Sequence, residues 1–357
     1  MSRATPRRRA ALTPTSPTQA SASASSASPL AATSTSQRPR VAARSASRRS
    51  SRQAPQGSRF ARDSRAASPS STSLVKSAPA ATRTRIASPV VLVTGATDGI
   101  GKQTALDLLR RGSHVLVHGR TAAKAAAVAD ELAALVPDAR HRVEPFGADL
   151  SSLAEVRALA SQVIARHEFL DVLINNAGVF MNERVVTVDG FEASFAINHL
   201  APFVLTALLL PALRESEQGR VVTVSSIAHN RGRLDWDDLD AKDRFEGYAA
   251  YANSKLANVL FAYELAKRLV GTRVTSNALH PGVITTKLLW NGFGSRGDSL
   301  ERGAATSVKL ALDASLAGVT GKYFDNEREA RSSAASHDPA AMTRLWEISA
   351  ARTGASG

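Results

Sequence analysis

From residue 89 onward, short apolar runs alternate with longer segments of helical periodicity, and this alternation constrains the fold more than any other feature. The apolar runs are rich in β-branched residues, which is typical of strands buried on both faces. They predict strands at 89–94, 114–118, 143–146, 170–174, 220–224, 274–279 and 322–324. Strand–helix alternation of this length specifies a parallel sheet with helices on both faces. We therefore expect one doubly wound α/β domain of the Rossmann type over residues 89–350.

The intervening segments have the periodicity and capping residues of helices. They predict helices at 102–111, 122–136, 152–166, 191–213, 247–269 and 299–312. Ser151 or Ser152 can cap the third of these. The helix at 247–269 carries an apolar stripe, which would pack in the core or against a second copy of the chain. In such a sheet ligands bind beyond the carboxyl ends of the strands, where the glycine-rich and asparagine-rich turns of this sequence fall.

Residues 1–88 differ sharply in composition from the rest. They hold fifteen Arg, Lys76 and a single acidic residue, Asp63, so the remaining residues carry a net charge of about −1 within a total of +14. Many like charges and few apolar side chains predict a disordered tail. It could be an organellar transit segment, a solvated extension or upstream sequence that is not translated, or a weak RNA-binding segment. We expect a cytoplasmic protein, or an organellar one if the tail is a transit segment.

The chain contains no cysteine, which excludes disulfides and thiolate metal sites. The longest apolar run, residues 201–213, is shorter than the roughly 18 residues needed to cross a bilayer, so we expect no transmembrane segment. The basic charge belongs to the tail, and we do not expect nucleic acid to be a partner of the folded domain. A homodimer or tetramer is compatible with the sequence.

Gly95, Gly99 and Gly101 occupy the turn between the first strand and the first helix. Glycine permits positive φ and lets a phosphate approach the backbone closely. The helix that begins there offers free N–H groups and the positive end of its dipole to a pyrophosphate. A glycine-rich turn could also be an ordinary loop, but its place between a buried strand and a helix favours dinucleotide binding.

Three polar residues follow the next strands. Arg120 stands where an acidic residue would bind the adenosine ribose hydroxyls, and an arginine there favours the 2′-phosphate of NADP over NAD. Asp149 could bind an adenine amino group, and Asn176 ends the fourth strand. Arg120 could instead be an exposed loop residue, and Asp149 or Asn176 could be a turn residue or a helix cap.

Tyr251 and Lys255 lie four residues apart in the helix at 247–269, so both side chains project from the same face. An ammonium beside a phenol favours the phenolate and lowers the pKa of the phenol. Because this spacing also arises by chance, the pair alone does not establish a catalytic site.

A series of motifs resembles the classical short-chain dehydrogenase/reductase superfamily, with every element in order from about Val90 to Phe324. The motifs are TGATDGIG (94–101), ADL (148–150), NNAG (175–178), Asn198-His199, VSS (224–226), YANSK (251–255) and HPGVITT (280–286). NNAGVF, INHLAPF, VSSIAH, YANSKLAN and RLWEIS are similar to the branch of retinol dehydrogenase-like and WW-domain oxidoreductase-like enzymes. Ala201 departs from the glycine that relatives often carry at that position.

The resemblance implies a role for each matching residue. Tyr251 would be the general acid and base, Lys255 would lower its pKa and bind the nicotinamide ribose, and Ser226, rather than Ser225, would hold the substrate oxygen. Asn198 would help to hold a water linked to Lys255. The implied cofactor-binding residues are Thr94, Gly95, Gly99, Ile100, Gly101, Arg120, Asp149, Leu150, Asn176, Ala177, Tyr251, Lys255, Pro281, Gly282, Ile284 and Thr286.

We therefore predict an NADP(H)-dependent oxidoreductase that interconverts a carbonyl and an alcohol. The alternative is a regulatory or scaffold protein that binds NADP(H) with little turnover. The substrate would be an apolar small molecule, because an apolar run that could line its pocket follows the last motif, namely Ile284, Leu288, Leu289, Trp290 and Phe293. The acidic loop 235–240 lacks a His or Glu partner at ligand spacing, so we expect no metal site.

Overall fold

The structure, a computed structural model, describes residues 88–294 and 296–355. An eight-stranded sheet forms the centre of this part of the chain. The strand order is β3-β2-β1-β4-β5-β6-β7-β8, and all neighbours are parallel except β7 and β8. The strands are β1 Val90–Val93, β2 His114–Gly119, β3 Val143–Gly147, β4 Val172–Asn175, β5 Arg220–Val224, β6 Thr275–His280, β7 Tyr323–Asp325 and β8 Arg328–Ala330. The predicted tail lies, apart from Ser88, outside the described residues.

The strand order reverses next to β1, and this reversal positions the site. From β1 the chain runs outward to β2 and β3, then crosses back so that β4 pairs with the other side of β1. Val91, Leu92 and Val93 are fully buried because helices cover both faces of this central strand. A crevice opens beyond the carboxyl ends of β1 and β4, as expected at such a switch point.

Nine α-helices within the described residues form the outer layers. They are α1 Gly99–Arg110, α2 Ala122–Leu135, α3 Leu153–Arg166, α4 Ala193–Phe195, α5 Ala201–Arg214, α6 Gly247–Arg268, α7 Lys287–Phe293, α8 Leu300–Leu312 and α9 Pro339–Thr353. One face of the sheet packs against α1, α2 and α8, and the other packs against α3, α5 and α6. The doubly wound α/β fold predicted from the sequence is confirmed.

Helix α6 is buried in the hydrophobic core of a single chain. Helix α9 was not predicted from the sequence, and its Trp346 stacks on Phe261 of α6 with ring centroids 6.0 Å apart. Arg268, near the end of α6, places its guanidinium 4.4 Å from the centroid of the Trp346 ring. The predicted domain limit at residue 350 falls inside α9, and the antiparallel strand β8 was also overlooked. The oligomeric state stays a prediction.

The helix predicted at 191–213 is in fact three segments. The short α4 leads into a π-helical turn, Ala196–Leu200, and then into α5. Counted together, 193–214 form the one stretch among the described residues that is long and apolar enough to cross a bilayer, which the sequence analysis had not found. However, 83% of its most apolar window is buried inside the protein, as in the core helix of many folds.

Candidate active site

The glycine-rich turn forms the floor of the crevice. Gly95 has φ of +65°, and a Cβ atom there would lie 2.9 Å from the Cα of Ala177. A Cβ on Gly101 would lie 2.3 Å from the carbonyl oxygen of Gly95 and 2.4 Å from Nδ2 of Asn176. The turn therefore tolerates no side chain at either position. Asp98 caps α1 by accepting a hydrogen bond from the N–H of Gly99.

Thr94 and Asn176 tie the end of β1 to the end of β4. The Thr94 hydroxyl donates to the carbonyl of Ile174 at 3.2 Å and accepts from the N–H groups of Asn176, at 3.0 Å, and Ala177, at 3.1 Å. Asn176 Nδ2 donates to the Thr94 carbonyl at 2.7 Å. Both side chains thus hold the shape of the turn, and Thr94 lies behind the residues that line the crevice.

His118 completes this framework and was not identified from the sequence. Its Nδ1 accepts from the N–H of Gly95 at 3.1 Å, and its Nε2 donates to the carbonyl of Ala148 at 3.0 Å. Burial lowers its pKa to about 4, so the ring is neutral and its tautomer is fixed by these two bonds. The position of His118 near the end of a buried strand was a usable signal in the sequence, because a side chain there must contact either a helix or the neighbouring turns.

The open end of the crevice carries Arg120, Thr121 and Lys124 at the end of β2 and the start of α2. Arg120 and Lys124 are exposed and bring two positive charges to this rim. Asp149 also lines the crevice, where its carboxylate accepts from the N–H of Ser151 at 2.9 Å. Leu150, beside it, is largely buried.

Tyr251 and Ser226 meet at the inner end of the crevice. Tyr251 is 6% exposed, and its ring packs against Phe180 with centroids 5.6 Å apart. Burial raises the pKa of Tyr251 to about 12, while a hydrogen bond from Ser226 lowers it by a smaller amount. The phenol is therefore protonated at neutral pH. Burial has the largest effect on the pKa of Tyr251, and the lowering expected from Lys255 together with the nicotinamide charge stays a prediction.

Lys255 lies one helical turn further on and is 3% exposed. Its Nζ donates to the carbonyl of Val224 at 3.1 Å and lies 5.7 Å from the centroid of the Tyr251 ring. Burial lowers the pKa of Lys255 to about 8, because the charged form loses its hydration. The ammonium thus remains the main form at neutral pH, and it lies close to the phenol ring.

Asn198 lies in the π-helical turn, behind the crevice lining and next to Lys255. Its Oδ1 accepts from the N–H of Val179 at 2.8 Å, and its Nδ2 donates to the Val179 carbonyl at 3.0 Å and to Ser254 Oγ at 2.9 Å. A Cβ on Gly178 would lie 3.2 Å from Lys255 Nζ and 3.5 Å from Asn198 Oδ1. The Asn198 side chain therefore holds the chain after β4, and its part in holding a water stays a prediction.

The two serines after β5 have different surroundings. Ser225 is buried, and its hydroxyl donates to the carbonyl of Lys255 at 2.7 Å. Ser226 lines the crevice and is oriented by His229, whose Nδ1 donates to the Ser226 carbonyl at 2.7 Å. His229 Nε2 accepts from the N–H of Ser333 at 3.0 Å, which links the serine turn to the C-terminal segment. Like His118, His229 was not predicted from the sequence to belong to the site.

The segment after β6 closes the remaining side. Pro281, Gly282, Ile284 and Thr286 all line the crevice, and Thr286 caps α7. Lys287 reaches across to the Asp98 carboxylate at 2.5 Å, in an exposed ion pair. Of the apolar run expected to form a pocket, Ile284, Leu288 and Leu289 line the crevice, whereas Trp290 is 58% exposed and points elsewhere. The Phe293 side chain lies outside the described part of the chain.

The crevice is a single cavity of about 800 Å³ that runs from Arg120 past the glycine-rich turn to Tyr251. Every predicted cofactor-binding residue except Thr94 lines it, as do Ser226 and three apolar residues near Tyr251, namely Ile227, Ala228 and Leu288. Its shape and chemistry fit a nicotinamide dinucleotide, because the side-chain-free turn and the free N–H groups of α1 suit a pyrophosphate.

The acidic loop has no metal-binding arrangement. Asp235 accepts from the N–H groups of Asp237, at 3.0 Å, and Asp238, at 3.3 Å. Asp240 is buried, accepts from the N–H of Glu192 and pairs with Arg352 of α9 at 2.9 Å. These carboxylates are engaged by the backbone and by an arginine, so the loop is a structural connection to α9.

The fold and this site define a member of the short-chain dehydrogenase family, whose family model matches residues 89–294. The protein belongs to the retinol dehydrogenase-like branch of that family, as the following similarities show. It is 42% identical to mouse retinol dehydrogenase 12 over 277 residues, covering 75% of this chain and 87% of that protein. It is 41% identical to human retinol dehydrogenase 13 over 280 residues, covering 74% and 84%. The chain is therefore an oxidoreductase that acts on CH–OH groups.

Solved structures agree on the fold, and one of them contains NADP. An uncharacterized protein from Mycobacterium paratuberculosis is 33% identical, with a TM-score of 0.63 over 75% of this chain and 94% of that one. RhlG of Pseudomonas aeruginosa, solved as an NADP active-site complex, is 29% identical, with a TM-score of 0.56 over 67% of this chain and 95% of that one. Members of this family bind a nicotinamide cofactor.

Proposed function

We propose that this protein interconverts a carbonyl and an alcohol on an apolar small molecule with NADP(H), with Tyr251 as general acid and base. One observation carries the proposal. The hydrogen-bonded pair of Ser226 and Tyr251 is at the inner end of the same cavity that contains the glycine-rich turn. A proton donor and a dinucleotide site in one cavity are what hydride transfer to a carbonyl requires. A protein that only binds the dinucleotide does not need the Ser226–Tyr251 pair.

Each side chain has a distinct part in the proposed reaction. In reduction the Tyr251 phenol gives its proton to the carbonyl oxygen, and in oxidation it takes the proton from the alcohol. The Ser226 hydroxyl holds that oxygen. Lys255 stabilises the phenolate through its charge. The nicotinamide, when bound, supplies or accepts the hydride. Because the pKa of Tyr251 is raised to about 12, the phenol carries the proton that reduction needs.

The preference for NADP rests on the positive rim of Arg120 and Lys124. A guanidinium binds a 2′-phosphate through charge-assisted hydrogen bonds worth about 1.5–3 kcal/mol. Arg120→Asp should therefore reduce the ratio of NADP to NAD affinity by about tenfold to a hundredfold. Arg110→Asp, on α1 outside the cavity, makes the same change in net charge and should leave the ratio unchanged. Equal ratios in all three proteins would mean that other residues recognise the phosphate.

The apolar substrate rests on the residues near Tyr251 and on the relatives. Val179, Ile227, Leu288 and Leu289 line the same cavity as the Tyr251 phenol. Since the relatives are named retinol dehydrogenases, we propose a long apolar aldehyde or alcohol of the retinoid type. Each buried methylene contributes about 0.8 kcal/mol, so kcat/KM for straight-chain aldehydes should rise about fourfold per methylene until the cavity is filled. A kcat/KM independent of chain length would contradict an apolar pocket.

A regulatory protein that binds NADP(H) with little turnover is the alternative function. The engagement of the Lys255 Nζ with the Val224 carbonyl is the observation that favours it. NADPH binding without oxidation by any aldehyde, ketone, quinone or steroid would support this alternative. Measurable turnover with any of them that is lost in Tyr251→Phe would support the enzyme.

A further inference from the structure

A cluster of two histidines and a glutamate lies at the end of the sheet opposite the cavity. His114 is the first residue of β2, Glu144 belongs to β3, and His167 directly follows α3. The active-site turns follow the carboxyl ends of the strands, and β2 alone separates His114 from Gly119 by roughly 17 Å. The cluster is thus independent of the proposed catalytic site.

The backbone brings the three side chains together. Glu144 pairs with Leu116 in the register of β2 and β3, and His114 lies on the same face as Leu116 because residues two apart share a face. His114 Nε2 lies 2.7 Å from one carboxylate oxygen of Glu144, and His167 Nε2 lies 3.4 Å from the other. All three ligand atoms lie within 4.8 Å of one another.

His167 Nε2 is the least satisfied atom of the cluster. It is buried and makes no hydrogen bond of good geometry with any described residue, beyond the 3.4 Å approach to Glu144. A buried imidazole nitrogen normally has a partner. The side chains of His114, Glu144 and His167 are 22%, 30% and 12% exposed, so an ion and a water molecule could reach the cluster from solvent.

Two imidazoles and one carboxylate form a ligand set that zinc accepts, with water in a fourth, tetrahedral position. Ligand atoms around such an ion lie roughly 3.3 Å apart. The distances within the cluster bracket this value, so small rotations of the side chains would suffice. Imidazole ligands favour zinc and its neighbours in the transition series over magnesium or calcium.

We propose that His114, Glu144 and His167 bind a divalent transition metal ion, for which zinc is the best fit. The ion links the edge strand β3 to β2 and to the end of α3. Arg166 adjoins the cluster, with its guanidinium 4.6 Å from the centroid of the Phe146 ring, and its charge weakens cation binding. With three protein ligands and this neighbour, the site is weaker than a four-ligand structural zinc site and exchanges its ion with solvent.

Calorimetric titration of the full-length, tag-free protein with zinc chloride tests the proposal. No thiolate competes, because the chain has no cysteine. We expect one zinc ion per chain. His167→Ala and Glu144→Gln should each weaken binding by about a hundredfold or more. His141→Ala removes an exposed histidine close to Glu144 in sequence and is the matched control, which should bind like the wild type.

Thermal unfolding gives a second readout. Zinc at a hundredfold excess over its Kd should raise Tm by about 5 to 10 °C in the wild type and in His141→Ala. The rise should be absent in Glu144→Gln, which keeps the size of the side chain and so decides the matter if His167→Ala does not fold. No zinc binding by the wild type, or unchanged binding in Glu144→Gln, would overturn the proposal.

Discussion

Replacing Tyr251 by phenylalanine separates the proposed chemistry from the stability of the fold. The substitution removes one hydroxyl from a side chain that is 6% exposed and keeps the ring that packs on Phe180. The lost hydrogen bond with Ser226 is worth about 1 kcal/mol, so Tm should fall by only about 2–4 °C. General acid–base catalysis typically contributes about 10²–10⁴-fold, which is about 3–5 kcal/mol of transition-state stabilisation. The expected loss in kcat therefore far exceeds the loss in stability.

The assay is NADPH oxidation by the purified full-length protein with an apolar aldehyde, beside a titration of NADPH binding by fluorescence. Tyr251→Phe should bind NADPH nearly as tightly as the wild type. Tyr248→Phe removes a hydroxyl from another cavity-lining tyrosine, one turn earlier on α6, and should keep most of the activity. Near wild-type kcat in Tyr251→Phe, or an equal loss in Tyr248→Phe, would refute the assignment of the proton donor.

Three further perturbations test the surroundings of this residue. The pKa of Lys255 is lowered to about 8, so its positive charge is present below that pH and is lost above it. In the reductive direction, kcat/KM for NADPH should fall as pH rises through about 8, and this decline should be absent from the residual activity of Lys255→Arg, whose guanidinium stays charged. His229→Ala should lower kcat more than NADPH affinity, because it frees the Ser226 carbonyl. His229→Gln should restore part of kcat. Equal effects of His229→Ala on kcat and on NADPH affinity would indicate general destabilisation. Gly101→Ala places a Cβ 2.3 Å from the carbonyl oxygen of Gly95. The variant should therefore lose ~1–3 kcal/mol of stability and bind NADPH more weakly. An unchanged Tm and an unchanged Kd for NADPH would contradict the tight turn.

Local sequence patterns predicted the parts of the fold that depend on local physics. Buried strands such as β1 and β5 were located within a residue or two, because continuous β-branched runs flanked by turns have few alternatives. The positions of Tyr251 and Lys255 on one helical face followed from a spacing of four residues. The glycine-rich turn was recognisable from its place between a buried strand and a helix, and the structure shows that Gly95 and Gly101 leave no room for a side chain.

Features that depend on distant contacts could not be predicted in this way. Helix α9 is stabilised by Trp346 stacking on Phe261, which is remote in sequence. The π-helical turn that holds Asn198 lies inside a run that has ordinary helical periodicity. The role of His118 requires three strand ends to meet. The raised pKa of Tyr251 depends on how deeply the fold buries the phenol, and no local pattern gives that depth.

The most direct test of the proposed function is the fate of the transferred hydrogen. The full-length protein would be incubated with retinaldehyde and NADPH carrying deuterium at the transferable position, and the products analysed by mass spectrometry. We predict one deuterium in each retinol molecule formed, and one NADP formed per retinol. Bound NADPH that yields no retinol, or retinol without deuterium, would contradict direct reduction of such a carbonyl at Tyr251.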